Sequence, residues 1–166
     1  MQRVKLDRID RRILADLQAD GRMTNVELAR RAGISAPPCL RRVRALEEAG
    51  YVRGYHADID PGALGYNVTV FAHVGLSSQA EADLKAFEDL VKGWPEVREC
   101  HMLAGETDFL LKVVAHDWDD YQRFLTTRLT AAPNISHVKS ALAIRSAKVQ
   151  PGVPIPIEPD DAPDGE

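Results

Sequence analysis

The sequence predicts an α+β chain in two parts, an N-terminal winged helix-turn-helix and a C-terminal ferredoxin-like βαββαβ sandwich. Three observations carry this expectation. Two helical patterns joined by the short turn Ala32-Gly33-Ile34-Ser35 match a helix-turn-helix unit. Beyond residue 66 the patterns run β-α-β-β-α-β, the order of a four-stranded antiparallel sheet with two helices on one face. Charge is divided along the chain: residues 1–56 hold 12 Lys/Arg against 7 Asp/Glu, and residues 57–166 hold 9 against 18. The net charge of -4 over 166 residues therefore hides a basic head on an acidic body. The expected domains are 1–60 and 67–149, joined by a linker at 61–66 and followed by a tail at 150–166.

Each head element has a local cause. Asp7 caps a first helix whose apolar side is Ile9, Ile13 and Leu17, and Asp20-Gly21 ends it. Thr24 and Glu27 have capping-box spacing at the start of a second helix carrying Leu28, Ala29 and Ala32. Gly33 stands where a helix end wants positive φ. Ser35 is the N-cap of a third helix, "APPCLRRVRALEEAG". Pro37 and Pro38 fall in its first turn, where backbone N–H groups have no intrahelical acceptor, so the proline pair begins this helix. It also removes a donor that Ser35 would cap. Leu40, Val43 and Leu46 form the expected apolar stripe with Cys39 beside them, and Gly50 closes the helix. "YVRGYHADID" reads as a two-stranded wing, and "DPGALGYN" has turn chemistry.

In the body, "NVTVFAHVGL" is a strand with Val68, Val70, Ala72, Val74 and Leu76 on one face. "AEADLKAFEDLVKG" is a helix turning Leu84, Phe87 and Val91 inward. "VRECHMLAG" and "FLLKVVA" flank the turn "GETD". "DWDDYQRFLTTRL" is a second helix with Trp118, Tyr121, Phe124 and Leu125, stopped by Pro133, and "ISHVKSALAIRSAKV" is the last strand. The sheet's second face is bare. Phe71, His73, Met102 or Leu103, and residues 141–144 are expected to line it, which predicts burial against another subunit. In the tail, "VPIPIEP" is expected to lie on a surface as an extended arm, and "DDAPDGE" to be disordered.

The chemistry follows the charge. Arg41, Arg42 and Arg44 lie off the apolar stripe of the third helix, where a polyanion can reach them. A recognition helix presents its N-terminal residues to the major groove, here Ser35, Ala36, Pro37 and Pro38 followed by Arg41 and Arg42. Asn25 at the second helix and Arg53 in the wing complete the expected DNA-binding set. "AGETDF" alone reads as a plain chain reversal, with Gly105 at positive φ and Asp108 bonding nearby backbone. No histidine pair has metal-ligand spacing, so no metal or other cofactor is expected. The acids Asp117, Asp119 and Asp120 suit a helix start, and no Gly-rich phosphate loop or nucleophile elbow is present. Cys39 and Cys100 are too far apart in motif terms for a metal site and read as reduced thiols. With no apolar run of about 20 residues and no apolar signal core, the expected address is the cytoplasm.

From Leu6 to about Val149 the chain resembles the Lrp/AsnC family of transcriptional regulators. "LDRIDRRILADLQADGRMTNVELARRAGIS", "PPCLRRVRALEEAGYVRGY" and "RECHMLAGETDFLLKV" carry the resemblance, in the family's order and spacing. It implies a sequence-specific DNA-binding regulator of amino-acid metabolism, modulated by an amino-acid effector. It implies dimers assembled into octamers, with effector pockets between dimers. It places the effector at the Gly-x-x-Asp-aromatic turn, Gly105, Glu106, Thr107, Asp108 and Phe109, with Met102, Trp118, Ala141 and Leu142 nearby. Trp118 serves equally well as a core residue. The chain departs from the family at Ala36-Pro37-Pro38-Cys39, where relatives often have Pro-Thr-Pro-Cys. Two alternatives share this architecture: an effector-independent DNA-organising protein, and an enzyme resembling siroheme decarboxylases that would use His73 or His101.

Overall fold

The computed structural model describes residues 5–157. It divides into two compact units. One runs to Asp58 and is rejoined by the chain from Val149 onward; the other is Ile59–Lys148. The stretch expected to be disordered, 160–166, lies outside the described residues.

The first unit holds α1 (Arg8–Ala19), α2 (Asn25–Ala32) and α3 (Ala36–Glu48). Asp7 and Asp10 form a full capping box: the Asp10 N–H donates to Asp7 at 2.8 Å and the Asp7 N–H to Asp10 at 3.2 Å. At α2 only half of the box forms. The Glu27 N–H donates to Thr24 Oγ1 at 3.3 Å, but the Glu27 carboxylate turns to Arg30 and Arg31 at 2.6 and 2.8 Å. Gly33 takes φ 69° and its N–H returns to the end of α2. Ser35 makes no side-chain cap, because the helical positions it would reach are prolines with no N–H to give.

Two expectations in this unit are corrected. The buried stripe of α3 is Cys39, Val43 and Leu46, while Leu40 is 39% exposed. At 3.6 residues per turn a strict three-residue step drifts round the helix, and steps of four and three stay on one face. The wing has no strand: residues 51–60 run without ladder pairing. The Tyr55 hydroxyl donates to Glu47 at 2.8 Å, which draws this segment back onto α3 rather than into a hairpin. Ile13, Leu17, Leu28 and Ala29 complete the core with the α3 stripe. The start of the C-terminal arm touches α1, while Glu158 and Pro159 of the expected arm lie outside the described residues. Gln18 brackets Val153, donating to its carbonyl at 2.8 Å and accepting from its N–H at 3.0 Å. Gly152 beside it takes φ +82°.

The second unit opens with a 3₁₀ turn, Gly62–Leu64. It continues β1 (Val68–Leu76), α4 (Glu81–Val91), β2 (Val97–Met102), β3 (Phe109–Ala115), α5 (Trp118–Phe124) and β4 (Ile135–Leu142). One π-helical stretch, Leu125–Leu129, extends α5. The strands are antiparallel in the order β2-β3-β1-β4. Val70, Ala72 and Val74 of β1 and Phe109, Leu111 and Val113 of β3 are fully buried. Against them pack Phe87, Val91, Trp94, Tyr121, Phe124 and Leu129. Phe87 sits tilted on Phe109 at 4.8 Å, and Trp94 meets Phe124 edge-on at 5.5 Å. Tyr121 hydrogen-bonds Ser140, and burial pushes its phenol pKa up.

β4 stops at Leu142, short of the expected 149. The bare face carries Phe71 and His73 of β1 with their β4 partners Ala141 and Lys139. Met102 and Leu142 pair with the buried Phe109 and Val70, so they point to the helical side and not to the open face as expected. Among the described residues, no helix is long and apolar enough to cross a membrane.

The carboxylates of the first unit make its stability pH-dependent. Burial opposes ionisation of Asp7, but the Asp10 N–H and Arg42 hold its carboxyl below the ordinary 3.8. Arg30 and Arg31 hold Glu27 down to about 2, against an ordinary 4.5. Depressed carboxyls contribute stability above their unfolded values and lose it as pH falls through the folded ones. Circular-dichroism melts should therefore show a falling melting temperature from pH 4.5 toward 2. Asp7→Asn should cost no more than about 1 kcal/mol at neutral pH, since the pair is half exposed, and nothing at the acid end.

Candidate nucleic-acid and effector sites

The α3 arginines differ in their contacts. The Arg42 guanidinium donates to Asp7 and to Asp10, both at 2.7 Å, tying α3 to the first turn of α1. Arg41, Arg44 and Arg53 are exposed and have no acidic partner among the described residues. Ser35 and Pro37 are exposed, while Ala36 and Pro38 are half-buried at the helix start. Asn25 donates from Nδ2 to the Ala36 carbonyl at 2.8 Å, pinning the start of α3 to the start of α2. Its Oδ1 is buried without a partner. The sequence-predicted DNA set thus separates into two groups. Arg41, Arg44 and Arg53 present free cations, and Asn25 and Arg42 hold the helix that displays Arg41 and Arg44. Charge pattern alone gave no sign of this division; Asp7 and Asp10, 35 and 32 residues before Arg42, create it.

The turn between β2 and β3 borders a hollow of about 410 Å³, lined by His73, Leu103, Ala104, Gly105, Glu106, Thr107 and Lys139. Asp108 is committed to structure: its carboxylate accepts from the Leu76 N–H at 2.6 Å and from Gln79 at 3.4 Å. Its own N–H donates to the Val74 carbonyl at 2.9 Å. This clamps the turn onto the end of β1. Thr107 is buried beside the His73 ring, 3.5 Å away. Gly105 is not among the positive-φ glycines, contrary to the turn expectation, and a Cβ there would meet nothing within 4 Å. Neither backbone conformation nor packing within the chain requires glycine at this point. The Lys139 ammonium and the exposed Glu106 carboxylate face each other at 3.9 Å.

Of the nine predicted effector residues, the hollow gathers Gly105, Glu106 and Thr107 within one protomer. Asp108 anchors the turn, and Phe109 is core. Met102 lies in a separate groove between α4 and β2, beside Cys100, whose thiol is pushed up to about 11 by burial. Trp118 sits tilted against Tyr121 with ring centroids 5.3 Å apart and remains 44% exposed. Ala141 and Leu142 sit opposite Phe71 and Val70. Lys139 is the residue that sequence reasoning missed. Its signal was the alternation of β4, which sets Lys139 beside Ala141 on the open face and opposite His73. Among the described residues, no group of three His, Cys, Asp or Glu side chains is placed to hold a metal ion.

Residues 69–153 match the Lrp/AsnC ligand binding domain, and residues 6–53 match a winged helix-turn-helix DNA-binding domain. The chain is 55% identical to the leucine-responsive regulatory protein of Rhizobium meliloti over 88% of its length and 94% of the relative. It is 40% identical to the Bkd operon transcriptional regulator of Pseudomonas aeruginosa, over 91% and 99% of the two chains. A transcriptional regulator from Neisseria meningitidis, crystallised as an L-Met complex, superposes with a TM-score of 0.86 at 35% identity, covering 90% of this chain and 97% of that one. Two family domains in tandem, one with a solvent-facing basic helix and the other with a hollow at its β2–β3 turn, thus extend along nearly the whole chain, which belongs to the Lrp/AsnC family of DNA-binding transcriptional regulators.

Proposed function

We propose that this regulator binds double-stranded DNA through α3 and is controlled by an amino acid held at the Gly105–Thr107 turn. The observation that carries the effector reading is Gly105, a glycine with open space at its missing Cβ and no backbone need for it. A small ligand can then approach the main chain closely, with the turn's N–H groups and Lys139 meeting its carboxylate. Asp108 is already hydrogen-bonded to β1, so Glu106 is the carboxylate left to meet an ammonium group. The Neisseria regulator bound to L-Met supports an amino acid of this size. The chain acts by binding, without a catalytic step or cofactor, as its relatives' names as regulators support. It works in the cytoplasm, where its DNA is.

The bare sheet face, with Phe71 36% exposed at its centre, supports pairing of two copies, and dimers assemble further into octamers. The second copy brings Met102, Trp118, Ala141 or Leu142 within reach of a ligand that one protomer cannot enclose. Effector binding then changes assembly or head spacing, which couples the two sites.

In thermal-shift assays against the twenty amino acids, one or a few should stabilise the protein by mass action. Lys139→Ala should abolish that shift while leaving the apo melting temperature within about a degree, because its partner is exposed. A flat response to all twenty amino acids in the unmodified protein would remove the effector reading. For DNA, Arg41→Ala and Arg44→Ala should each lower the salt slope of operator binding by roughly one unit per lost phosphate contact. Arg42→Ala should act differently, destabilising the head by about 1–3 kcal/mol through loss of charged hydrogen bonds. Equal salt slopes for all three variants and the parent protein would contradict this division.

A further inference from the structure

The bracket between Gln18 and Val153 has no part in reading DNA or sensing a ligand, yet it is built closely. The Gln18 amide imitates a neighbouring strand, giving and accepting one backbone hydrogen bond at Val153. Gly152 takes φ +82°, which favours glycine, and a Cβ there would push the end of the Gln18 side chain out of the bracket. The arm therefore returns to the DNA-binding unit after the chain has completed the sensing unit. Beyond the arm the chain is chemically extreme. Residues 158–166 contain Glu158, Asp160, Asp161, Asp164 and Glu166 and no cation. The unit to which they are delivered has 12 Lys/Arg against 7 Asp/Glu within residues 1–56.

We propose that the acidic C-terminal segment, residues 158–166, is an intramolecular competitor of DNA, delivered to the basic face of α3 by the Gln18–Val153 bracket. The reach is sufficient. Nine residues beyond Ile157 span up to roughly 30 Å. Asp10, which holds Arg42 of α3, lies eight residues from Gln18 along α1, or about 12 Å. Arg41 and Arg44 have no acidic partner among the described residues, so the cations that would meet phosphate are open to carboxylates. A segment tethered at this range is present at an effective concentration on the order of millimolar, enough to screen weak, non-specific DNA contacts. Specific sites, bound far more tightly, displace it. Every DNA complex that needs Arg41 and Arg44 is weakened by the same factor, so the segment shortens residence on bulk DNA while the tighter operator complex persists.

The test measures fluorescence anisotropy of a labelled mixed-sequence duplex of about 30 bp, at about 50 and 200 mM salt. Five proteins are compared: the full chain; a chain ending at Ile157; a full-length chain with the five tail acids changed to Asn or Gln; Gln18→Ala; and Gly152→Val. Gln18 is exposed, so its replacement leaves the fold intact. Truncation and neutralisation should each tighten non-specific binding about 3- to 10-fold at low salt, with the gain shrinking at high salt. Gln18→Ala should give a smaller gain in the same direction, and Gly152→Val should reproduce it by expelling the arm. Equal affinities for all of the proteins overturn the proposal and leave DNA binding by α3 standing. A gain on truncation that neutralisation does not reproduce also overturns it, since charge is then not the cause. Failure of every protein to bind the duplex at low salt removes the α3 reading together with this one.

Discussion

The second unit depends on the clamping of β1 between β3 and β4. Val70, Ala72 and Val74 are fully buried, and each is paired on both sides in fixed register. A one-residue slip would send these three side chains to the open face and bring Phe71 and His73 into the core. The register therefore decides which side chains line the hollow at the β2–β3 turn. It sets His73 opposite Lys139, and it ends β1 where the Leu76 N–H can meet the Asp108 carboxylate. The Gly105–Asp108 turn is thus tied to the backbone of a central strand.

The first unit obeys a different constraint, set by charge. A helix rich in arginine repels itself unless part of that charge is used internally. Arg42 is neutralised by two carboxylates of α1, and Glu27 gathers Arg30 and Arg31. Arg41 and Arg44, left over on the outer side of α3, give that face its positive sign. The same side chains that count as a basic patch in composition thus divide into structural and displayed cations.

Element order, caps and buried faces were legible because each has a local cause. Asp7, Thr24 and Gly33 announce the helix ends, and the alternation from Val68 to Leu76 announces a strand and its buried side. Three features were not legible, for physical reasons. The expected wing is unpaired at residues 51–60, and Tyr55 bonds Glu47 of α3 instead, a contact between segments that no local pattern encodes. Leu40 was misplaced because a three-residue repeat resembles a helical face over two turns and diverges by the third. The role of Asp108 depends on where β1 ends in space, and its motif is the same whether it binds a ligand or a backbone. Of the nine effector residues that the resemblance implies, Gly105, Glu106 and Thr107 line one hollow, and the others lie in the core, at the turn's anchor or elsewhere on the sheet and α5.

The prolines in the first turn of α3 carry a consequence for the thermodynamics of recognition. Pro37 and Pro38 fix their own φ angles before any partner arrives, which narrows the conformations open to this turn in the unfolded chain. A recognition helix that frays at its N-terminus must order itself on the duplex and lose entropy in doing so. Here that entropy is largely surrendered at folding, and the surface brought to the groove is already set. The pyrrolidine rings also deny DNA the two backbone donors that a helix start would offer a phosphate. Phosphate held at this helix start would then rest on guanidinium groups more than on main-chain N–H donors.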